Sequence, residues 1–208
     1  TWGANMVATI ENRTLAGKSF HKLPSAQGAT ENCVAHNGTI IPVPGRDLMV
    51  QAWYQGGVSI MDFTDPARPV EIAFFDRGPI DANRLYVGGS WSAYWLNGRI
   101  YSSEIVRGLD VLRLVPNEHL SAAEIAAAEA ITAETINPQT QTLITWADTP
   151  DVAGAYLDQL GRAGGIEAEL ATQVRAGIDQ WRRGGRTDRR GSVALAGVLN
   201  EASGKATG

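Results

Sequence analysis

The densest group of potentially reactive side chains in the sequence is the stretch Glu31-Asn32-Cys33-Val34-Ala35-His36. Carboxylate, thiolate and imidazole groups are the usual ligands of zinc and copper in proteins. If this stretch is a strand, alternation places Glu31 and Cys33 on one face and His36 on the other. Glu31 and His36 are therefore candidate metal ligands only together with residues from elsewhere in the fold. The alternative is a buried core thiol and a hydrogen-bonded histidine.

The single cysteine has no neighbouring base for nucleophilic catalysis. On a strand, His36 would lie about 10 Å along the chain from Cys33 and on the opposite face, beyond hydrogen-bond reach. One cysteine also excludes an internal disulfide bond. The sequence contains no phosphate-binding loop, dinucleotide-binding glycine motif, zinc-protease helix motif or nucleophile elbow. No catalytic constellation therefore stands out.

A set of aromatic residues could instead bind a ligand by stacking. Aromatic faces stack against sugars and cations, and they also fill the space between packed sheets. Both interpretations apply to Trp53, Tyr54, Trp91, Tyr94 and Trp95. Of these, Trp91, Tyr94 and Trp95 are the candidate binding residues.

Alternating apolar residues predict that short strands position these side chains. Residues 58–63 and 70–75 alternate with period two, and the turn at residues 64–69 separates them. In this turn Asp65 can accept a hydrogen bond from the backbone ahead of it, and two prolines fix φ and remove donors. We predict strands near residues 31–36, 47–54, 57–63 and 69–75, preceded by strands near 6–10 and 18–23.

Part of this pattern returns about 50 residues later, which is the period at which propeller blades repeat. Residues 51–58 match residues 102–109, and strands are predicted near 90–96, 99–105 and 108–114, without a fourth. In this alignment Glu104 takes the position of Trp53 in an otherwise apolar strand. Glu104 is therefore a further candidate site residue, either as a buried carboxylate with a shifted pKa or as a partner of Arg107.

Residues 57–69, GVSIMDFTDPARP, resemble the blade pattern G-[LV]-x-[VI]-x-D-[VF]-[ST]-D-P-x-x-P of the LVIVD-repeat β-propeller family. Residues 108–112, GLDVL, match its first half. The resemblance covers residues 1–115 and implies the C-terminal blades of a propeller in a longer protein. It also implies that a strand preceding Thr1 completes the last blade, and that the protein is extracellular or associated with the cell envelope.

From residue 116 onward the pattern predicts helices. Ser121 and Glu124 form a capping box at the head of a helix that reaches about Ala133. Thr149 is a predicted N-cap with Pro150 at the first helical position, and residues 166–183 carry an apolar stripe. The predicted fold class is mostly β, with β-propeller blades in residues 1–115 and an α-helical segment in residues 116–208.

Composition restricts the possible partners. The 208 residues carry a formal charge of −4 and no run of 18 apolar residues, which predicts no transmembrane segment. The acidic balance, and an arginine cluster at residues 182–190 without interleaved aromatic residues, argue against nucleic acid. The expected partners are the missing propeller blades of the same protein or a separate protein. Any cofactor is unknown from the sequence.

Three functions are compatible with these features. We expect a non-catalytic interaction scaffold, because the repeats and amphipathic helices are plain and no catalytic group stands out. The first alternative is a metal-dependent enzyme whose site in the propeller channel includes Glu31, Cys33 or His36. The second is a subunit of a larger assembly that is attached through the helical segment.

Overall fold

Apolar residues at alternate positions produce most of the strands that the period-two pattern predicts. The computed structural model describes residues 3–140, 142–184, 191, 193 and 195–200, and within them the strands form three antiparallel sheets. The first sheet pairs β1 (Asn5–Glu11) with β2 (Thr14–His21). The second has the order β3-β4-β5-β6, with β3 (Gly38–Ile41), β4 (Leu48–Ala52), β5 (Val58–Asp62) and β6 (Val70–Phe75). The third has the order β7-β8-β9, with β7 (Ser90–Leu96), β8 (Arg99–Glu104) and β9 (Gly108–Leu112).

None of the three sheets closes on itself among the described residues. The mostly β character of the chain is confirmed, and helices follow the strands in the part of the chain that the structure describes. The arrangement of the sheets as propeller blades stays a prediction.

The strand predicted near residues 31–36 is wrong. These residues form a loop, and the first strand of the second sheet is β3, where Ile40 and Ile41 supply the β-branched side chains that favour a strand. The loop is held by separate main-chain hydrogen bonds instead of a ladder. The Gln55 amide donates to the Asn32 carbonyl over 2.8 Å, and the His36 amide donates to the Ala52 carbonyl over 2.9 Å.

The second sheet has a neighbouring sheet on each of its faces. On one face, Gln51 exchanges side-chain hydrogen bonds with Asn5 of β1, and Trp53 meets the ring of His21 edge-on at a centroid distance of 6.4 Å. On the opposite face, Thr39 Oγ1 accepts a hydrogen bond of 2.8 Å from the Trp95 amide of β7. Alternation explains why these contacts lie on opposite faces. Thr39 pairs with Val50, so the two side chains share a face, and Gln51, the next residue of β4, points to the other face.

The described chain divides into two compact units. One unit contains every strand and combines the residues up to Val115 with Ala128–Ile144. The other combines Pro116–Ala127 with the residues from Thr145 onward.

Helix α1 (Ala122–Glu129) begins with the predicted capping box and ends earlier than predicted. The Glu124 amide donates to Ser121 Oγ over 3.2 Å, and the Ser121 amide donates to the Glu124 carboxylate over 2.8 Å. Thr149 caps α2 (Pro150–Arg162) as predicted, since its side chain accepts a hydrogen bond from the Val152 amide.

Helix α3 (Ala168–Gly184) buries its apolar stripe against α2. The shared core contains Leu157, Leu170, Val174, Ile178 and Leu195. No helix among the described residues is long and apolar enough to span a membrane. Residues 185–190, which hold most of the predicted arginine cluster, lie outside the described residues.

Candidate functional site

Three aromatic side chains meet where the loop before β3, the turn after β4 and the start of β7 come together. The His36 ring lies 4.4 Å from the Trp91 ring and 5.1 Å from the Tyr54 ring, measured between centroids. The Tyr54 and Trp91 rings are 5.6 Å apart and nearly perpendicular. We call these three residues the aromatic cluster. Trp91 is 45% exposed, so part of the cluster faces solvent.

A hydrogen bond fixes the orientation of the histidine. His36 Nδ1 lies 2.5 Å from the Trp91 main-chain oxygen. Because a carbonyl oxygen can only accept, Nδ1 is the donor in this contact, and in the corresponding neutral tautomer Nε2 is the acceptor nitrogen. The cluster therefore offers aromatic surface, and Nε2 is the ring nitrogen of His36 left for a further contact.

Tyr54 adopts a backbone conformation that is rare for a bulky residue. Its φ is 51°, in the left-handed region, which costs about 1–3 kcal/mol and persists only when the surroundings enforce it. Ser90 provides part of that enforcement, because the Tyr54 and Ser90 amides each donate to the other residue's carbonyl, over 2.9 and 2.8 Å. Strain of this kind is concentrated at functional sites.

Gly89 allows the close approach that holds Tyr54. A Cβ atom at position 89 would lie 2.0 Å from the Tyr54 carbonyl carbon, and the φ of Gly89 is 90°. Only glycine fits both the space and the backbone angle.

Glu104 is buried and bonds the backbone of Gly89, the residue that contacts Tyr54. Its carboxylate accepts hydrogen bonds from the Gly89 amide at 2.6 Å, from the Val106 amide at 3.2 Å, and from the Arg107 amide. Arg107 therefore contacts Glu104 through its backbone amide. Its guanidinium group donates instead to the Pro79 carbonyl over 3.4 Å. Glu104 closes the β8–β9 turn and positions Gly89, so its role is to support the cluster.

The other predicted binding residues lie outside the cluster. Trp95 is buried in β7, and its indole Nε1 has no hydrogen-bond partner among the described residues. Tyr94 is half-buried and pairs with Tyr101 across the β7–β8 ladder. Of the four predicted binding residues, only Trp91 belongs to the aromatic cluster.

The candidate metal ligands make main-chain contacts. The Glu31 carboxylate accepts a hydrogen bond of 2.5 Å from the Gly28 amide, while His36 Nδ1 bonds Trp91 as described. Within the described part of the chain, no three His, Cys, Asp or Glu side chains are grouped to hold a metal ion. A metal ion bound at Glu31 or His36 would therefore need further ligands from outside the described part of the chain.

Cys33 is a buried thiol with 1% of its surface exposed. Burial, together with the negative charges of Glu31 and Asp76, raises the pKa of Cys33 to about 11. At neutral pH the group is the protonated thiol, which is a poor nucleophile.

A narrow cleft runs beside the cluster and has room for about one water molecule. Its lining includes Tyr54, Gly89, Glu104, Arg107 and Asp110. A cleft of this size does not enclose a small-molecule substrate. Chemically, the site can stack a flat or apolar group on Trp91, and it pairs no nucleophile with a base.

Neither the protein-family models nor the curated proteins provide a match for this chain. The resemblance to LVIVD repeats therefore depends on residues 57–69 and 108–112 alone. The sequence also gave no direct indication of Gly89 and Ser90 as supporting residues, although the pair Gly88-Gly89 marks a position where the backbone can adopt unusual angles.

Proposed function

We propose that this chain is a non-catalytic interaction scaffold built from β-propeller blades of the LVIVD-repeat kind. In this proposal further β-sheets, belonging to the same protein or to a partner, cover its outer faces. The resemblance to LVIVD repeats also supports a location outside the cell or in the cell envelope.

One observation carries the proposal, namely the apolar outer face of the β1–β2 hairpin. Met6 lies opposite Phe20 and Ile10 lies opposite Leu15, and these four side chains are between 56% and 78% exposed. Cross-strand apolar pairs are the unit by which a sheet packs against another layer. An exposed patch of this kind marks an interaction surface.

The second sheet indicates which kind of element covers such a face. Its two faces meet β1–β2 on one side and β7 on the other, through the contacts of Gln51, Trp53 and Thr39. In the second sheet the cross-strand pair Val50 and Ile60 is apolar and buried, and the cross-strand pairs on the outer face of the hairpin are apolar in the same way. A further sheet is therefore the occupant that fits it.

The alternative of attachment through the helical segment has less support. The apolar stripe of α3 contacts Leu157 and Leu195, so this part of the helical segment is used within its own unit. The metal-dependent alternative has no specific observation in its favour.

The proposal is tested by replacing one residue of each outer apolar pair with a polar residue. We expect the double variant Phe20→Ser, Leu15→Ser to bind less of a hydrophobic fluorescent dye and to self-associate less in sedimentation. Its free energy of unfolding should change by only about 0.5 kcal/mol, because both side chains are exposed.

The matched control is Leu143→Ser, which removes an exposed leucine outside the β1–β2 hairpin and should leave dye binding unchanged. A parent chain that is monomeric and binds no dye, with no change in the double variant, would contradict the proposal.

A further inference from the structure

The β1–β2 hairpin is attached to the second sheet by a small number of side chains. In the described part of the chain the hairpin forms a sheet of its own, so no strand ladder joins the two. Its inner face carries the cross-strand partners of two pairs, Asn5 with His21 and Val7 with Ser19, because paired residues point to the same side. Val7 supplies the buried apolar side chain of this face. The polar contacts of the inner face are those of Asn5 with Gln51, of Ser19 Oγ with the Pro66 carbonyl at 2.7 Å, and of His21 with Trp53.

His21 is a buried imidazole between the hairpin and the second sheet. It is 5% exposed, and its Nε2 has no hydrogen-bond partner among the described residues. Trp53, whose ring lies 6.4 Å away between centroids, can only donate from its indole N–H. A charged imidazole carries a proton on both nitrogens, so in the docked hairpin the Nε2–H group of charged His21 would face no acceptor.

The groups around His21 offer no charge that would compensate its protonation. Asn5 lies opposite His21 in the hairpin, and Gln51 and Trp53 approach this pair from the second sheet. Cys33, the buried titratable group of the loop before β3, has a pKa of about 11 and is an uncharged thiol at neutral and acidic pH. Burial alone lowers the pKa of His21 from its ordinary value of 6.5, without a contribution from a carboxylate. The charged side chains of the hairpin and of the residue after it are exposed, namely Glu11, Arg13, Lys18 and Lys22.

Docking of the hairpin and protonation of His21 therefore oppose each other. In the released hairpin the pKa of His21 returns to about its ordinary value of 6.5, whereas in the docked hairpin the pKa is lower. The contribution of the neutral imidazole to docking is thus complete above pH 6.5. It is lost progressively as the pH falls from 6.5 toward the lowered pKa of the docked state.

We propose that His21 is a pH switch, in which protonation of its imidazole releases the β1–β2 hairpin from the second sheet. Release hydrates the charged ring and uncovers Trp53 and Gln51, so the acidified protein gains an interaction surface that the hairpin covers at neutral pH. A two-stranded hairpin is at best marginally stable in water, so its own ladder loosens on release. The inference goes beyond the scaffold proposal, because it concerns the inner face of the hairpin and holds whatever covers the outer face.

The test compares hydrogen exchange of the full 208-residue chain at about pH 7.5 and about pH 5, corrected for the pH dependence of the intrinsic exchange rate. We expect the protection of the amides in residues 5–21 to fall by about tenfold at the lower pH, the factor that corresponds to one unit of pKa. The amides of residues 90–104, in β7 and β8, should keep their protection.

Two variants without a titratable group at position 21 test the cause of this loss. His21→Phe keeps a flat ring and His21→Gln keeps a polar side chain, so at least one of them should dock the hairpin. We expect the docked variant to show equal protection of the hairpin at both pH values. The matched control is His119→Gln, which removes an exposed histidine and should keep the response of the parent.

Titration of the imidazole rings by NMR provides a readout that does not depend on any variant. We expect the pKa of His21 in the parent chain to lie below 6.5. A pKa of His21 at or above 6.5 would overturn the inference, because the ring of Trp53 would then stabilise the charged form in the docked hairpin.

Equal protection of the hairpin at both pH values in the parent chain would also overturn the inference. So would a loss of protection at low pH that persists in both His21→Phe and His21→Gln, since another titratable group would then be responsible. The dye and sedimentation measurements on Phe20 and Leu15 concern the outer face at neutral pH, so they report on the scaffold proposal separately.

Discussion

Cys33 illustrates how surroundings decide the chemistry of a reactive residue. The sequence left open whether the thiol is a metal ligand or part of the core. In the fold it is buried, and the nearby carboxylates of Glu31 and Asp76 add to the effect of burial by disfavouring the thiolate. A core thiol is therefore the interpretation that fits its surroundings.

We expect native Cys33 to react slowly with a disulfide reagent at pH 8. The pKa rises from its ordinary value of 9.0 to about 11, so the thiolate fraction falls by about a hundredfold before the effect of restricted access. The rate should keep rising with pH up to about 11. Fast labelling of the folded chain at pH 8 would contradict this, and the chain unfolded in guanidinium is the control.

The same shift predicts a pH dependence of stability. The folded state keeps the Cys33 proton up to about pH 11, whereas the unfolded thiol releases it near pH 9.0. The contribution of this group to stability is therefore complete below pH 9 and falls as the pH rises toward 11.

At the scale of the elements, Glu124 connects a helix cap to tertiary packing. Its carboxylate completes the capping box of α1 at Ser121. The same fully buried group accepts hydrogen bonds from Arg162 at 2.6 Å and from Gln159 at 3.0 Å, both on α2. The capping motif indicated the first of these roles, and only the approach of α2 supplied the second.

We expect Glu124→Ala to lower the free energy of unfolding of the helical unit by about 3 kcal/mol, because it removes one partner of a buried ion pair as well as half of the capping box. Ser121→Ala should cost about 1 kcal/mol, the usual cost of losing an N-cap. Denaturant unfolding followed by helical circular dichroism measures both.

Glu118→Gln is the matched control, since Glu118 is exposed and its change should have little effect. Equal stability of Glu124→Ala and Glu118→Gln would show that the buried carboxylate contributes nothing net.

At the scale of the whole molecule, the metal-dependent alternative makes a clear prediction of its own. Under the scaffold proposal we expect elemental analysis of the natural protein, freed of loosely bound ions, to find no stoichiometric copper, zinc or iron. The reason is that Glu31 and His36 already make hydrogen bonds to main-chain groups. Carboxylate and imidazole ligands without a third protein ligand do not hold a structural ion firmly.

One metal ion per chain, lost in the double variant Glu31→Gln, His36→Gln, would reverse this conclusion. It would make the enzyme interpretation the leading one. A parent protein and a double variant that are both free of metal would agree with the scaffold proposal.

Local chemistry explains what could be predicted from the sequence. The turn at residues 64–69 forms as expected, with Asp65 accepting a hydrogen bond of 3.0 Å from the Ala67 amide. The cap at Thr149 and most strands are likewise determined within a few residues, by alternation and by side chains that bond the backbone nearby. The one misplaced strand, at residues 31–36, lies where isolated main-chain bonds from Ala52 and Gln55 replace a regular ladder.

What the sequence determined by itself is therefore the kind and order of the elements, because these depend on neighbours along the chain. Only the tertiary structure joined His36, Tyr54 and Trp91, which are up to 55 positions apart. The tertiary structure also decided the role of Glu104. The sequence suggested an ion pair with Arg107, but the buried carboxylate accepts hydrogen bonds from the backbone amides of Gly89 and Arg107, which lie in two different loops. Such convergence depends on sheet packing, and no local pattern records it.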